Sequence, residues 1–425
     1  MTRASIAWGG LAPVRAVGWR RVLLRWYALP GSLLAALLLG AAMMAALGAD
    51  PLTGYHALVV GAFGGSTALG ATAVRAAPLL LVGIGICIAF RANVLNIGGE
   101  GQLALGGLAS TATALALPGL PAGVLVPLVL LAGAAGGALW GAIPGALRAY
   151  LNVNEILSTV MLNLVAVQIM NYLLSGPMVD RTQNSTFGLI PETRVLPHSS
   201  WLPILVPGTQ LQAGVIVAVV MAIAVYVLLR RTTFGFRVRS VGISREASRY
   251  AGMAVKRTMT AAMTLSGAMC GLGGALLVFG STSHRMVTDG SLTGFTGSDG
   301  FNGIVVALFA GLSPLWTIVS SFLFGGMLVG GDALQVATGV PSTMVTTLEG
   351  VLVVLLVSLE YLRRRERLNA LAPPVAGGES SLSQRVLAPF SKGASRVPAC
   401  PPSQLQPGPV EGSGAVVGAP PGGPR

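Results

Sequence analysis

The chain has 425 residues, of which 53% are hydrophobic and 10% are charged, and its mean hydropathy is +0.74. A soluble globule cannot hide that much apolar surface, so the composition excludes a soluble domain and predicts an all-α polytopic membrane protein with membrane lipid as its solvent. A formal charge of +13 often indicates nucleic-acid binding. Here the cations gather at the ends of apolar runs, as membrane orientation requires, so no nucleic-acid partner is expected.

The sequence lacks the patterns of the common catalytic and metal sites. Two cysteines lie in apolar segments and one lies near the C-terminus, so neither a disulfide framework nor a CxxC metal pattern is present. A P-loop needs Gly before its Lys, whereas Lys256 follows Val255 and Lys392 follows Ser391. The three histidines are isolated, and none stands in an HExxH pattern. We expect a non-catalytic chain without metal or cofactor. The alternative is a membrane enzyme with a different kind of active site.

Hydropathy predicts about ten membrane-spanning helices, because a span needs about 20 apolar residues. Residues 1–28 carry five arginines and show no small-residue cleavage site, so they are predicted to form a cytoplasmic N-terminal arm rather than a removed signal peptide. The predicted spans are 29–49, 74–90, 102–117, 123–147, 155–175, 213–229, 258–280, 301–312, 315–335 and 343–361.

The distribution of Lys and Arg predicts the orientation of these spans. The run 301–312 is short, but if it did not cross, the arginines at 363–367 would lie outside while the basic loop stayed inside. Ten crossings place both termini in the cytoplasm. Residues 55–73 are also apolar, and we interpret them as an interfacial or re-entrant helix because a crossing there would invert everything after it. Only four of the 27 Lys and Arg then lie outside or near the outer interface, namely Arg75, Arg181, Arg194 and Arg285.

Three regions are expected along the chain: the arm 1–28, a transmembrane domain 29–365 and a cytoplasmic tail 366–425. The tail is rich in Pro, Gly and Ser and has too few large apolar residues to bury a core, so it is predicted to be disordered. The transmembrane segments are dense in Gly and Ala, as in 133–147 and 265–276. Small residues of this kind favour close helix packing.

The longest polar interruption between two spans is the basic loop 230–257. Ser244 is a good N-cap, Glu246 lies where the helix dipole favours an anion, and Gly252 can end a helix. We therefore predict a short helix over 244–252 that docks a cytoplasmic partner. The alternative is an ordinary basic loop near lipid headgroups. The eight cations of the loop are Arg230, Arg231, Arg237, Arg239, Arg245, Arg249, Lys256 and Arg257.

Two groups of polar residues lie within apolar segments, where polar side chains are costly and often functional. In NVNEILSTVMLN, four polar residues fall on one helical face. In RANVLNIGGEGQ, polar residues alternate with glycines, and such backbone is tolerated at membrane depth where it lines a cavity or is buried in protein. Both groups are candidates for a polar pathway, and the alternative is hydrogen bonding between helices. The candidates are Asn93, Asn96, Glu100, Gln102, Glu155, Ser158, Thr159 and Asn163.

Three motifs occur in a fixed order: FRANVLNIGGEGQLALGG, VNEILSTVMLN and TTFGFRVRSVGISREASRYAGMAVKRT. Together they resemble the permease subunit of bacterial ABC importers of the branched-chain amino acid and simple-sugar superfamily. Within it, the chain is most similar to the nucleoside permeases that work with a basic-membrane-protein type binding lipoprotein. The resemblance runs from about residue 75 to about residue 365, and the N-terminal arm and the tail depart from the family.

This resemblance implies a type II ABC importer-like bundle in the bacterial cytoplasmic membrane. It implies an ABC ATPase, a second permease and an extracellular substrate-binding lipoprotein as partners, and a nucleoside or, alternatively, a simple sugar as substrate. It also assigns the loop helix the role of coupling helix to the ATPase. The matching residues are Ser244, Arg245, Glu246, Ala247, Ser248, Arg249, Tyr250, Ala251 and Gly252.

Two other hypotheses stay open on the residues alone. An ion-coupled secondary transporter needs a carboxylate or His relay at the membrane centre. Glu100 and Glu155 lie near predicted helix starts and supply one only weakly. A scaffold or lipid-facing structural protein needs no transport pathway at all.

Overall fold

The computed structural model describes residues 37–180 and 191–341, together with Leu34, Thr347, Gly350 and Val351. This part contains twelve α-helices, one 3₁₀ turn and three isolated β-bridges, and no extended strand among the described residues. The predicted all-α class is confirmed. The predicted arm 1–28, the tail 366–425 and nearly all of the predicted span 343–361 lie outside the described residues.

The helices follow one another along the chain with mostly short connections, and a 3₁₀ turn at His198–Ser200 precedes α7. In order they are α1 (Leu37–Ala46), α2 (Pro51–Phe63), α3 (Ser66–Arg91), α4 (Gly99–Ala116), α5 (Ala122–Leu151), α6 (Glu155–Ser175), α7 (Gly214–Arg231), α8 (Thr233–Ile243), α9 (Arg245–Tyr250), α10 (Val255–Phe279), α11 (Asp299–Phe309) and α12 (Pro314–Thr338).

Local sequence explains several helix ends. α6 begins after Asn154, whose side-chain oxygen accepts a hydrogen bond from the N–H of Ile156 at 2.9 Å, and Asn is a favoured N-cap. α12 begins at Pro314. Proline has no N–H, but at the first helical position an N–H would have no partner within the helix, so no hydrogen bond is lost. α5 ends before Asn152, whose φ of 56° supplies the left-handed residue that often follows a helix. The bounds of these helices agree with the predicted spans to within a few residues.

Six described helices are long and apolar enough to cross a membrane: α3, α5, α6, α7, α10 and α12. A seventh crossing results if α1 and α2, which meet at 120°, form one broken span. The polytopic membrane bundle is confirmed, but the described part holds fewer full-length spans than the ten-span count predicts. α4 falls below the hydropathy of a span, and α11 has only 11 residues.

The first helices differ from the predicted ones. The sequence predicts an interfacial or re-entrant helix over 55–73, but α2 ends at Phe63, and residues 66–73 begin the continuous 26-residue helix α3. The sharp bend lies earlier, between α1 and α2. There Asp50 caps α2 by accepting a hydrogen bond from the N–H of Thr53 at 3.0 Å. The candidate re-entrant pair is therefore 37–63.

α3 and α10 form the centre of the bundle. Of the 18 most apolar consecutive residues of each helix, 78% are buried in α3 and in α10. The buried share is 22% in α5, 33% in α6 and 28% in α7. α3 and α10 are therefore enclosed by other helices, while α5, α6 and α7 leave one face open to lipid or to another chain.

α5 packs against α10 through glycines. Gly133, Gly137 and Gly141 of α5 lie against Gly267 and Gly271 of α10. A Cβ added to Gly137 would lie 2.6 Å from Gly271 Cα, and a Cβ added to Gly271 would lie 2.7 Å from Gly137 Cα. The two backbones are thus in direct van der Waals contact, the close packing that the glycine-rich sequences predict.

The bundle has a basic end and an opposite end. α8 and α9 lie at the basic end, where the C-terminus of α5 meets the start of α10 and Lys256 Nζ lies 5.5 Å from the centre of the Tyr150 ring. At the opposite end, the loops after α6 and α10 are joined by ion pairs. Arg285 binds Glu192 and lies 3.7 Å from Asp180.

Candidate functional site

The segment between α3 and α4 carries a buried polar network. Asn96 Nδ2 donates to Gln102 Oε1 at 2.9 Å and to Ser266 Oγ of α10 at 2.8 Å. Asn96 Oδ1 accepts from the N–H of Gly98 at 2.9 Å and from Gln102 Nε2 at 3.1 Å. Ser266 lies 11 residues after the start of α10, or about 16 Å along it. The network is therefore near the middle of a bilayer core of about 30 Å.

Asn163 of α6 binds the same segment. Its Oδ1 accepts from the N–H of Gly101 at 2.9 Å, and its Nδ2 donates to the carbonyl of Ile97 at 3.0 Å. Gly101 is in the first turn of α4, where N–H groups have no partner inside the helix. Three of the predicted pathway residues, Asn96, Gln102 and Asn163, thus meet on one segment.

Glu100 joins α4 to α11. Its buried carboxylate accepts from the N–H of Phe301 at 3.0 Å and from the hydroxyl of Thr296. Phe301 is in the first turn of α11, so Glu100 satisfies an N–H that the start of that helix leaves unpaired. A Cβ added to Gly99 would lie 3.0 Å from the carbonyl oxygen of Gly300, so the two first turns are in contact. We call residues 96–102 and 296–301 the helix junction.

α4 and α11 leave the helix junction in opposite directions. α4 runs to the opposite end, where Thr111 Oγ1 lies 3.8 Å from Met286 Sδ. α11 runs to the basic end, where the carbonyl of Leu312 accepts from Arg91 Nη2 at 3.1 Å. The positive ends of two helix dipoles therefore face each other, and each helix places one carboxylate where its dipole favours an anion.

Asp299 is a junction residue that the sequence-based prediction missed. It is fully buried, its Oδ1 lies 3.8 Å from Arg75 Nη2, and neither carboxylate oxygen accepts a hydrogen bond from the described residues. A sequence signal exists, because GGEGQ (98–102) and GSDGF (297–301) share the order Gly, any residue, acid, Gly. The predicted span begins at 301 and leaves Asp299 outside, whereas α11 begins at Asp299 itself.

Three predicted residues of α6 make their polar contacts outside the helix junction, although Thr159 packs near it, where a Cβ added to Gly98 would lie 3.4 Å from Thr159 Cβ. Glu155, at the helix start, pairs with Arg148 at 2.9 Å. The hydroxyls of Ser158 and Thr159 donate to the carbonyl of Glu155 in their own helix. Of the predicted polar face, Asn163 is thus the residue that reaches α4.

The predicted short helix in the basic loop is present as α9. The hydroxyl of Ser244 accepts from the N–H of Ala247 at 3.2 Å, and Gly252 follows the helix with a φ of 76°. The sequence-based prediction missed α8, which begins after Thr232 as its N-cap and is joined to α9 through Ser244.

The outer side of α9 presents large apolar side chains. Ile243, just before the helix, and Tyr250, at its end, are 88% and 93% exposed. Glu246 and Arg249 are exposed between them. Exposed apolar groups beside charged side chains can form a protein-contact surface. We call these four residues the α9 surface.

Arg245 points from α9 to the bundle. Its Nη2 donates to the backbone carbonyl of Asn93 at 2.8 Å. Asn93 is exposed and has a φ of 54°. Asn93, the remaining predicted pathway residue, therefore lies at the basic end and contacts α9.

A second cluster lies at the opposite end. The ring of Trp201 is 3.9 Å from that of His198 and 3.7 Å from that of His284, measured between ring centroids. Burial, together with the charge of His198, lowers the pKa of His284 below its usual value of 6.5. The lowered pKa favours the neutral imidazole of His284, which stacks on the indole at an interplanar angle of 13°.

Residues 68–358 match the family described as branched-chain amino acid transport system / permease component. The match covers most of the chain, including the helix junction and α9. The chain belongs to this permease family. It is a multi-pass membrane protein, and as a permease it is a non-catalytic subunit. The resemblance to this permease superfamily, which the three sequence motifs indicate, is confirmed.

Three relatives cover most of the permease. The guanosine ABC transporter permease protein NupP of Bacillus subtilis is 36% identical over 76% of this chain and 90% of its own length. A glucose ABC transporter permease protein of Haloferax volcanii is 35% identical over 78% and 87%. The nucleoside ABC transporter permease protein NupB of Lactococcus lactis is 32% identical over 72% and 84%. No solved structure matches the permease.

Each of these three organisms supplies a second, less similar permease protein. That of Haloferax volcanii is a putative glucose ABC transporter permease protein, 28% identical over 63% of this chain. The guanosine ABC transporter permease protein NupQ of Bacillus subtilis is 28% identical over 60% of this chain, and the nucleoside ABC transporter permease protein NupC of Lactococcus lactis is 27% identical over 67%. The permease is therefore more similar to one member of each pair.

Proposed function

We propose that this permease imports a nucleoside into a bacterial cell as a subunit of an ATP-driven importer. The observation that carries the proposal is the similarity, over about three quarters of the chain, to a guanosine permease and a nucleoside permease. A simple sugar is the second candidate substrate, because a glucose permease is similar over a comparable length. By the positive-inside rule the basic end faces the cytoplasm, and both termini lie on that side.

Three partners complete the proposed importer. ATP is hydrolysed on a separate ABC ATPase, since the sequence has no Gly–Lys pair for a P-loop. The paired relatives favour a second, different permease of the NupQ and NupC type, so the pathway forms between two unlike chains. A binding lipoprotein delivers the substrate to the opposite end, where the loops after α6 and α10 form the outer surface.

The helix junction is the proposed moving part of the pathway. Half-helices that begin at the membrane centre often form transport sites, because their unpaired N–H groups and dipoles can bind a ligand or shift between two arrangements. In the described conformation these polar groups are paired within the protein: Asn96 binds Gln102, Asn163 binds backbone groups of the junction, and Glu100 binds the first turn of α11. We propose that these four residues open the pathway, whereas Asn93, Glu155, Ser158 and Thr159 support its surroundings.

Uptake by the reconstituted importer tests the proposed substrate. With all four components in proteoliposomes and ATP inside, we expect uptake of labelled guanosine that excess unlabelled nucleoside abolishes and excess glucose leaves unchanged. Uptake of labelled glucose without uptake of labelled guanosine would establish the sugar alternative. Uptake by the permease alone, without ATPase or ATP, would establish an ion-coupled transporter instead.

The α9 surface is expected to hold the ATPase. Changing both Ile243 and Tyr250 to alanine removes two exposed apolar anchors, so we expect the affinity for the ATPase to fall at least about tenfold, the effect of an interface hot spot. Co-purification and titration of the ATPase measure this. Tyr172→Ala is the matched control, because Tyr172 is 74% exposed on α6, and its substitution should leave binding unchanged. Equal binding by both variants would refute docking at α9.

A further inference from the structure

We infer that Arg245 is the positioning residue through which a movement of α9 reaches the helix junction. The inference rests on the proposed function, in which α9 binds an ATPase. It goes further by naming the segment that receives the movement: residues 91–95 at the end of α3, here called the α3 hinge. Neither the family description nor the names of the relatives assigns a role to these residues.

Three elements of the basic end meet at the α3 hinge. Arg245 of α9 donates to the carbonyl of Asn93 at 2.8 Å. Gly242 of α8 packs on the hinge so closely that an added Cβ would lie 3.0 Å from the carbonyl carbon of Arg91. Arg91 in turn donates to the carbonyl of Leu312, in the loop after α11, at 3.1 Å. A displacement of α8 and α9 therefore acts on α3 and α11 together.

The α3 hinge, residues 91–95, is followed directly in sequence by residues 96–102 of the helix junction. Asn96, the first residue of the junction, holds Ser266 of α10, and Glu100, four residues later, holds the first turn of α11. α11 is thus held at its start by Glu100 of the helix junction and, after its end, by Arg91 of the hinge through Leu312. A short rigid path of this kind can transmit a movement because each step is a direct bond.

The backbone of the hinge is suited to switch between arrangements. Asn93 in the hinge and Leu312 in the loop that Arg91 contacts have φ values of 54° and 57°, in the left-handed region that residues other than glycine seldom adopt. Such conformations persist where surrounding contacts hold them. Arg245 provides one such contact, a charged donor on a backbone carbonyl, and charged donors make the stronger hydrogen bonds. Losing it would free Asn93 to relax.

Other arginines of the basic loop serve as comparisons. Arg239 Nε donates to the carbonyl of Gly235 within α8 at 3.4 Å, and Arg249 is exposed on the α9 surface. Arg239 has the same charge as Arg245 and lies six residues before it, but its bond stays within one helix. Arg239→Gln is therefore the matched control for Arg245→Gln.

The test compares ATP hydrolysis with uptake in the same proteoliposomes containing the complete importer. For Arg245→Gln we expect ATPase binding and ATP hydrolysis close to those of the wild type, and labelled nucleoside uptake about tenfold lower, within the usual range of coupling between sites. The ATP consumed per nucleoside should rise by the same factor. Arg245→Lys keeps the charge but loses the planar fork of donors, so it should give an intermediate ratio. Arg239→Gln should leave the ratio unchanged.

Hydrogen exchange supplies an independent readout. ATP should change the exchange of the backbone amides of residues 92–102 in the wild type and in Arg239→Gln, and this response should disappear in Arg245→Gln. If Arg245→Gln permease is not recovered in folded form, Arg245→Lys provides the same comparison.

The contrary outcomes distinguish failure of this inference from failure of the proposed function. An unchanged ratio of ATP to nucleoside in Arg245→Gln, with the ATPase bound, would overturn this inference alone. Loss of the ATPase from Arg245→Gln would also overturn it, because Arg245 would then be a docking residue. A wild-type permease that never binds an ATPase would overturn the proposed function, and the inference with it.

Discussion

Replacing Glu100 by leucine is expected to destabilise the permease by about 3 kcal/mol and to abolish uptake. Leucine has a similar size but no acceptor, so the N–H of Phe301 and the hydroxyl of Thr296 both lose their partner in a buried site. A buried group left without a hydrogen bond costs about 1 to 3 kcal/mol. Relief from burying a carboxylate offsets part of this cost. The first turns of α4 and α11 would then separate.

Two further variants make this test specific. Glu100→Gln keeps an oxygen for the N–H of Phe301 and an amide that can donate to Thr296, so most of the stability should return. Glu246→Leu removes an exposed carboxylate from α9 and should change stability by about 0.5 kcal/mol or less.

Thermal unfolding in detergent can be followed with a thiol-reactive dye. Cys87 and Cys270 are buried and become reactive on unfolding, and Cys400→Ser removes the background from the tail. If the Glu100→Leu permease unfolds at the same temperature as the wild type, Glu100 does not hold α4 and α11 together.

Local signals in the sequence were sufficient for much of the bundle. Ser244 is a strong N-cap, and the structure begins α9 at the residue that follows it. α6 begins at Glu155, where the predicted span begins. The apolar runs of α5, α7 and α12 are long enough to be recognised by length alone. These features depend on residues close in sequence, so a single chain reveals them.

The helix junction depends on contacts between residues far apart in sequence. Glu100 binds Phe301, and Asn96 binds Ser266, which no local pattern indicates. The predicted polar face of α6 placed Asn163 correctly towards protein but gave no partner. Asp299 was missed because a length rule begins a span at its first apolar residue, whereas a half-helix in the bundle starts at a buried acid.

The span count differs for a related physical reason. The rule of about 20 apolar residues applies to helices that face lipid. α4 is mostly buried by other helices, and α11 is buried at the first turn, where it contacts α4. Helices packed in this way can be polar or short and still lie at membrane depth, because neighbouring helices satisfy their backbone groups. Pairs of sequences with the order Gly, any residue, acid, Gly before short apolar runs, as at 98–102 and 297–301, are the better sequence signal for such half-helices.

Adding a single methyl group at Gly137 is expected to weaken the contact between α5 and α10. The Cβ of Gly137→Ala would lie 2.6 Å from Gly271 Cα, a backbone atom that cannot move away as a side chain can. Overpacking of this kind costs about 1 to 3 kcal/mol. We expect a lower melting temperature in the thiol assay, and Gly137→Leu should prevent recovery of folded permease.

Gly123→Ala on the same helix is the matched control for this last prediction. A Cβ at Gly123 has no neighbour within 4 Å among the described residues, so alanine adds no clash there. Alanine also favours a helix over glycine by up to about 1 kcal/mol. Gly123→Ala should therefore melt at or above the wild-type temperature while Gly137→Ala melts below it. If both variants melt alike, close backbone packing is not what joins α5 to α10.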